Sequence, residues 1–243
     1  DIIRKFTFSD IEINHCTDEF ERINNLMTAG NYIREVTEMN DVLACLAMHE
    51  IKTMRGKDEP RYNYTYLFNS LKTPEEIYRL REIYGDGFYL VGIASSYTSK
   101  LKFLNKRKHI PEDKAKKLIN RDESEDKKYG QNTRDAFQLS DVFIDFDRED
   151  LQEQFERFLE LIFGNFLITP SKDEYAMFLA FAASLRSADL SRQVGAVITS
   201  SEGELISTGA NDVPRFGGGL YWADHEDDNR DYILGYDTNE WQR

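Results

Sequence analysis

Cysteine is nearly missing from these 243 residues, with Cys16 and Cys45 the whole supply. Two thiols so far apart in sequence make neither a disulfide framework nor a Cys-x-x-Cys clip, so the chain reads as a protein of the reducing cytoplasm. Long apolar runs are missing too. None approaches the roughly 20 residues that a membrane span needs, and the N-terminus shows no charged-then-apolar signal pattern and no small-residue cleavage site. Positive charge is in deficit: Lys and Arg number 31 against 44 Asp and Glu, a net charge of −13. A chain this acidic repels a phosphate polymer at long range, which argues against bulk nucleic-acid binding but leaves room for a small nucleotide held by local cations. A phosphate-cradling loop is absent as well. Gly56-Lys57 is followed by Asp58, and Ile51 stands where the first glycine of that motif belongs. There is no Gly-x-Ser-x-Gly elbow and no period of self-similarity. The chain does not begin with Met, and we expect an internal portion of a longer protein.

What is present is an alternation of strand and helix patterns. Residues 2–8 and 64–68 read as short strands, and residues 18–36 and 40–55 carry apolar residues at helical spacing. Thr73-Pro74-Glu75-Glu76 combines a cap, a proline in the first turn and a capping-box glutamate, with Gly85 as the stop. Residues 88–94 and 142–146 are near-continuous apolar runs, expected for strands of a parallel sheet buried on both faces. Leu151, Phe155, Phe158, Leu159 and Ile162 form one helical stripe ending at Gly164. These features predict an α/β fold over 1–164. Between the two apolar runs, residues 100–134 are charged and poor in apolar side chains. They read as a solvated helix or flexible excursion, or else as a basic arm that reaches for phosphates through Lys100, Lys102, Lys106 and Arg107.

A second domain is expected over 171–243. Ser171 and Glu174 form another capping box, Met177, Phe178, Phe181, Ala182 and Leu185 are read as the packed face of the next helix, and residues 194–199 and 204–208 make a hairpin around Gly203. Gly217-Gly218-Gly219 beside Tyr221-Trp222 reads as a flexible turn or as a place where a ligand approaches the backbone. The acids around His225 (Glu226, Asp227, Asp228 and Asp231) read as a solvated loop in preference to a divalent-cation site. The other histidines are scattered, and the adjacent pair His15-Cys16 is a poor chelate.

Residues 180–214 (AFAASLRSADLSRQVGAVITSSEGELISTGANDVP) resemble the first third of a deoxycytidylate deaminase. The match runs through Arg186-Ser187, Asp189, Gln193-Val194-Gly195-Ala196, the hairpin, then Gly209-x-Asn211 and Pro214. The rest resembles the N-terminal module of anti-phage dCTP deaminases, through Leu26-Met27-x-x-Gly30-Asn31-x-x-Arg34, Ser70-Leu71-Lys72-x-Pro74-Glu75-Glu76, Tyr84-Gly85-Asp86-Gly87-Phe88, Arg121-Asp122-Glu123, Tyr129-Gly130-Gln131 and Asp173-Glu174-Tyr175-Ala176-Met177.

The resemblance implies a P-loop-kinase-like parallel sheet with helices, followed by the N-terminal part of a cytidine-deaminase-like α/β/α domain. It implies a hydrolase that converts dCTP or dCMP to the uracil nucleotide plus ammonia and acts in antiviral defence by draining dCTP. Asn211 would meet a sugar hydroxyl, with Arg186, Ser187, Arg192, Gln193 and Ala196 lining the substrate. Lys100, Lys102 and Arg107 would contact phosphate. A regulatory nucleotide or small RNA and assembly as a homo-oligomer are further implications. The family's zinc is held by His-x-Glu and Pro-Cys-x-x-Cys. Neither motif occurs in these residues, so neither the zinc ligands nor the catalytic glutamate is expected in this chain.

Overall fold

The computed structural model describes residues 18–56, 63–125 and 127–237. The strand expected over 2–8, and His15 and Cys16 with it, lie outside them. The chain divides into two compact units, 1–159 and 160–243. Among the described residues no helix is long and apolar enough to cross a membrane.

The first unit is α/β. Helices α1 (Glu19–Thr37), α2 (Val42–Arg55) and α3 (Pro74–Tyr84) precede strand β1 (Val91–Ala94). Helices α4 (Tyr97–Lys106), α5 (Glu112–Glu123) and α6 (Thr133–Gln138) then lead to strand β2 (Val142–Asp145) and helix α7 (Leu151–Ile162). The two strands pair in parallel with Val91 opposite Val142 and Ile93 opposite Ile144. A helical crossover between parallel neighbours is the connection their geometry requires. Ala29 of α1 and Ile77 and Leu80 of α3 are fully buried, and a second cluster forms where Ile110, Ala115 and Leu118 meet Phe20, Ile23 and Met27.

That second cluster corrects the expectation for 100–134. The segment is neither a flexible excursion nor a lone solvated helix. Its few apolar residues fall at helical spacing: Ala115, Leu118 and Ile119 are buried on one side of α5, and Leu101 and Leu104 of α4 join the same cluster. The charges occupy the remaining faces. Three further expectations need correction. Residues 64–68 form no strand, and Leu67 is 93% exposed. β-Rich composition cannot hold a strand without a neighbour to complete its ladder, and among the described residues this stretch has none. The strands β1 and β2 are not buried on both faces, since Ile93 and Phe143 are exposed, Phe143 with only an edge contact to Phe137 of α6. The stripe on α7 is only partly covered, with Phe155 packed against Phe158 and Phe158 edge-on to Tyr89.

A chain of polar contacts ties the helices of this unit together. Arg34, 1% exposed, donates from Nη2 to Glu76 Oε1 at 3.0 Å across α1 and α3. The other Glu76 oxygen accepts from the backbone N–H groups of Lys72 and Thr73, so one carboxylate both starts α3 and binds α1. From Arg34 the chain runs through Asn31 to Glu125, which also receives Arg121 of α5. Lys72 Nζ pairs with Asp122 at 2.5 Å. These residues come from three of the sequence motifs quoted above or sit beside them, and one function of the motifs is therefore structural.

In the second unit, α8 (Lys172–Ser184) starts at the predicted capping box. The backbone N–H of Glu174 donates to Ser171 Oγ, and that of Ser171 donates to the Glu174 carboxylate. Strands β3 (Gly195–Thr199) and β4 (Leu205–Ala210) pair antiparallel as expected, with the turn closing through Gly203 at φ +89°. A short helix α9 (Asp231–Leu234) follows. The packed face of α8 differs from expectation. Ala176, Leu179, Ala180, Ala183 and Ser184 are half-buried against the hairpin, whereas Met177, Phe178, Phe181 and Leu185 are exposed. The reason lies at Gly195, where an added Cβ would stand 1.9 Å from the Ala180 carbonyl oxygen and 2.4 Å from the Ser184 nitrogen. Helix and strand backbones approach so closely that only small side chains fit between them.

Two outcomes follow. Arg34→Ala leaves a carboxylate buried without its cation and should cost about 3–5 kcal/mol, whereas an apolar double replacement of Arg34 and Glu76 should recover much of that loss; urea unfolding followed by far-UV circular dichroism checks both. Gly195→Ala forces α8 away from β3 and should cost about 3 kcal/mol or more. Tryptophan fluorescence reads this directly, because Trp222 and Trp241 both belong to the second unit.

Candidate functional site

The residues that the sequence singles out fall in two places, one in each unit. In the second unit the loop after α8 is clasped to the end of β4. The Asn211 backbone N–H donates to the Val194 carbonyl oxygen at 3.0 Å, and Val194 N–H donates to Asn211 Oδ1 at 2.6 Å. Asn211 Nδ2 donates to the Arg192 carbonyl oxygen at 2.7 Å. The Ser187 hydroxyl lies 2.5 Å from the Asn211 carbonyl oxygen and 3.0 Å from Oδ1, with one hydrogen to donate between them. Asp189 tightens the same loop by accepting from the backbone N–H groups of Ser191 and Arg192. Its carbonyl oxygen takes the Gln193 side-chain amide.

The side chain of Asn211 is thus largely committed to holding residues 187–194, with one Nδ2 hydrogen left over. Ser187 and Gln193 are engaged in the same clasp. Ala196 is exposed on β3, one residue beyond the tight Gly195 crossing. The Arg186 guanidinium lies 3.7 Å from the centroid of the Trp222 ring. Such stacking occupies the flat face of the guanidinium and leaves the N–H donors at its edge available. Trp222 was not singled out as a partner for Arg186, since no spacing rule links positions this far apart.

The glycine run makes a tight reversal. Gly217, Gly218 and Gly219 all have positive φ, between +79° and +108°, and the Arg215 N–H closes the turn onto the Gly219 carbonyl oxygen. The acids that follow are met by arginines: Asp228 by Arg230 at 2.6 Å and Asp227 by Arg215 at 3.5 Å. The Arg230 guanidinium holds the Asp228 carboxyl at about 2, well below its ordinary 3.8. His225 turns back to accept from Trp222 N–H through Nδ1. Among the described residues no group of three or more His, Cys, Asp or Glu side chains could hold a metal ion. The zinc implied by the resemblance has no seat among them.

In the first unit the predicted phosphate-contacting cations separate. Lys100 faces Glu123 at 3.9 Å. Lys102, Lys106 and Arg107 instead border an open groove of about 420 Å³ together with Phe103 and Phe146. Four of these lie on adjacent i,i+4 stripes of α4 and its C-cap, and Phe146 follows directly on β2. The groove therefore lies beside the carboxyl end of β2, the side of an open parallel sheet on which ligands collect.

The neighbouring loop is fixed by Asp147, which sequence reasoning passed over. It accepts from Ser96 N–H at 2.6 Å and from the Ser95 hydroxyl at 3.2 Å, joining the end of β2 to the start of α4. The Ser96 backbone N–H, with the Ser99 and Ser96 hydroxyls, holds its carboxyl at about 2 in place of 3.8. Serine pairs ahead of a helix carry a capping signal, but the distant acid that completes the cap has none.

No family model, curated protein or solved structure matches this chain.

A carboxyl whose folded value is depressed stabilises above its unfolded value and loses that contribution as pH falls through the folded one. Asp147→Asn should therefore lower the melting temperature above about pH 4, and the gap to the parent protein should close as pH falls toward about 2. Thermal unfolding at stepped pH reads this gap.

Proposed function

We propose that the second unit is the sugar-side wall of a deoxycytidine-nucleotide deaminase pocket. The observation that carries the reading is the clasp of Asn211. A helix, a hairpin and a Gly-x-Asn loop are locked together, with one amide hydrogen of Asn211 unspent and the N–H edge of Arg186 unpaired among the described residues. In this reading Asn211 donates its remaining N–H to a sugar hydroxyl, and Ser187, Gln193 and Arg192 supply the loop that fixes its direction. Arg186, steadied on Trp222, takes a phosphate oxygen. Ala196 leaves room at the strand for the nucleotide to lie close to the backbone.

The reaction class is hydrolytic exchange of an amino group for oxygen, turning dCTP or dCMP into its uracil counterpart with release of ammonia. In a cell this would drain the dCTP on which viral replication draws. The His-x-Glu and Pro-Cys-x-x-Cys segments that carry such chemistry are not among these residues. The contribution proposed for this chain is binding and orientation.

The test has two parts. Titration calorimetry of the chain with dCTP and dCMP should give saturable binding that Arg186→Ala weakens about tenfold, without change in Tm. A polypeptide joining these residues to the zinc-binding segments in the family's order should release ammonia from one of these nucleotides. Equal binding by the parent chain and the Arg186→Ala variant, or a zinc-loaded polypeptide that releases no ammonia, would refute the assignment.

A further inference from the structure

The two sides of α4 have different tasks. Leu101 and Leu104 turn inward and join the cluster around Ile110 and Leu118. Lys102, Phe103 and Lys106, with Arg107 at the C-cap, are exposed. Together with Phe146 they border the open groove of about 420 Å³, whose lining surface is apolar throughout. The three cationic residues therefore line it with their carbon stems and carry their charges out to its rim, as long cationic side chains do beside apolar surface. Phe103 and Phe146, 50% and 54% exposed, form the rest of the wall. Single exposed apolar residues are common on protein surfaces. Two rings and three aliphatic stems on one groove make a continuous apolar surface, the kind that marks an interaction site.

The charge around this groove has one sign. Neighbouring cations are matched by acids: Lys100 faces Glu123 at 3.9 Å, Lys108 pairs with Glu19 at 3.0 Å and Lys114 with Asp18 at 3.1 Å. Lys102, Lys106 and Arg107 form no ion pair among the described residues. The carboxylates that flank Phe146 are engaged elsewhere. Asp147 accepts from Ser95 and Ser96, and Asp145 Oδ1 accepts from Asp147 N–H.

We infer that this groove docks a short acidic segment of a partner protein. The segment lays a bulky apolar side chain between Phe103 and Phe146 and sets its carboxylates on Lys102, Lys106 and Arg107. The apolar lining selects a hydrocarbon or aromatic anchor, and the unpaired rim fixes the sign of the charge around it. The spread of the rim fixes the form of the occupant. Lys102 and Arg107 lie about 7.5 Å apart along the helix at 1.5 Å per residue, so the carboxylates belong to successive residues of a chain and not to one head group. The attraction is local. A second copy, or any extended acidic surface, is repelled by a chain of net charge −13, whereas a few residues stay within about 8 Å, one screening length, of the trio. The site belongs to the first unit and does not rest on the deaminase reading of the second.

A phage-displayed library of random heptapeptides tests this on the whole 243-residue chain. Counter-selection on a variant with Lys102, Lys106 and Arg107 all replaced by Ala removes peptides that bind elsewhere. The survivors should carry Phe, Trp or Leu with Asp or Glu on both sides. The strongest survivor, titrated by fluorescence anisotropy, should bind a Phe103→Ser, Phe146→Ser double variant at least about tenfold more weakly than the parent, and should weaken as salt rises. Lys116→Ala should leave its affinity unchanged. All five groove residues are exposed, so both multiple variants should keep the circular dichroism and Tm of the parent. The inference is overturned if no peptide survives, if the survivors lack acids, if the double variant binds as the parent does, or if dodecanoate, ATP or inorganic tripolyphosphate displaces the peptide at equal concentration.

Discussion

The first unit depends on one buried ion pair. Arg34 and Glu76 are almost wholly removed from water, and a charge so placed is tolerable only when its counter-charge and hydrogen bonds are in place. Glu76 satisfies three claims at once: the Arg34 guanidinium and the backbone N–H groups of Lys72 and Thr73. The carboxylate that begins α3 is thus also the one that fixes α3 against α1. Through Asn31 and Glu125 the same network reaches α5, whose buried side closes the second apolar cluster. A unit with few large apolar residues per helix gains its specificity of arrangement from this polar frame.

Charge also shapes the surface. Lys108 and Lys114 face the acids Glu19 and Asp18 at the start of α1, and Lys100 and Lys116 face acids of α5, so the helices are stapled at their rims. Exposed pairs of this kind contribute little individually. Their greater consequence is where they leave a gap. Lys102, Lys106 and Arg107 of α4 and its C-cap form no ion pair among the described residues, and they border a groove with Phe103 and Phe146.

Local signals in the sequence were legible wherever a single helix or turn carried its own chemistry. Both capping boxes, the glycine turn at Gly203 and the two parallel runs are where their residues place them. Signals that depend on a partner were not. Residues 64–68 have strand composition but no neighbour to pair with among the described residues. Residues 100–134 look solvated because charge dominates the count, while five apolar positions at helical spacing and Ile110 in the loop between α4 and α5 decide the packing. The trio at the groove was anticipated in part: Lys102, Lys106 and Arg107 border it and Lys100 does not, and nothing in a linear reading says that Glu123 lies opposite Lys100. In the second unit the bonds of Asn211 to Ser187, Arg192 and Val194 were not legible, because an amide's partners are chosen by the closed loop.

The contact between α8 and β3 inverts the usual relation between size and tolerance. The bulky residues of the helix and its C-cap, Met177, Phe178, Phe181 and Leu185, stand where solvent can accommodate a change, whereas the small Ala180 of the helix and Gly195 of β3 stand where two main chains nearly touch. A survey of variants along this helix would find its most permissive positions at the aromatic rings and its least permissive at the residues with almost no side chain.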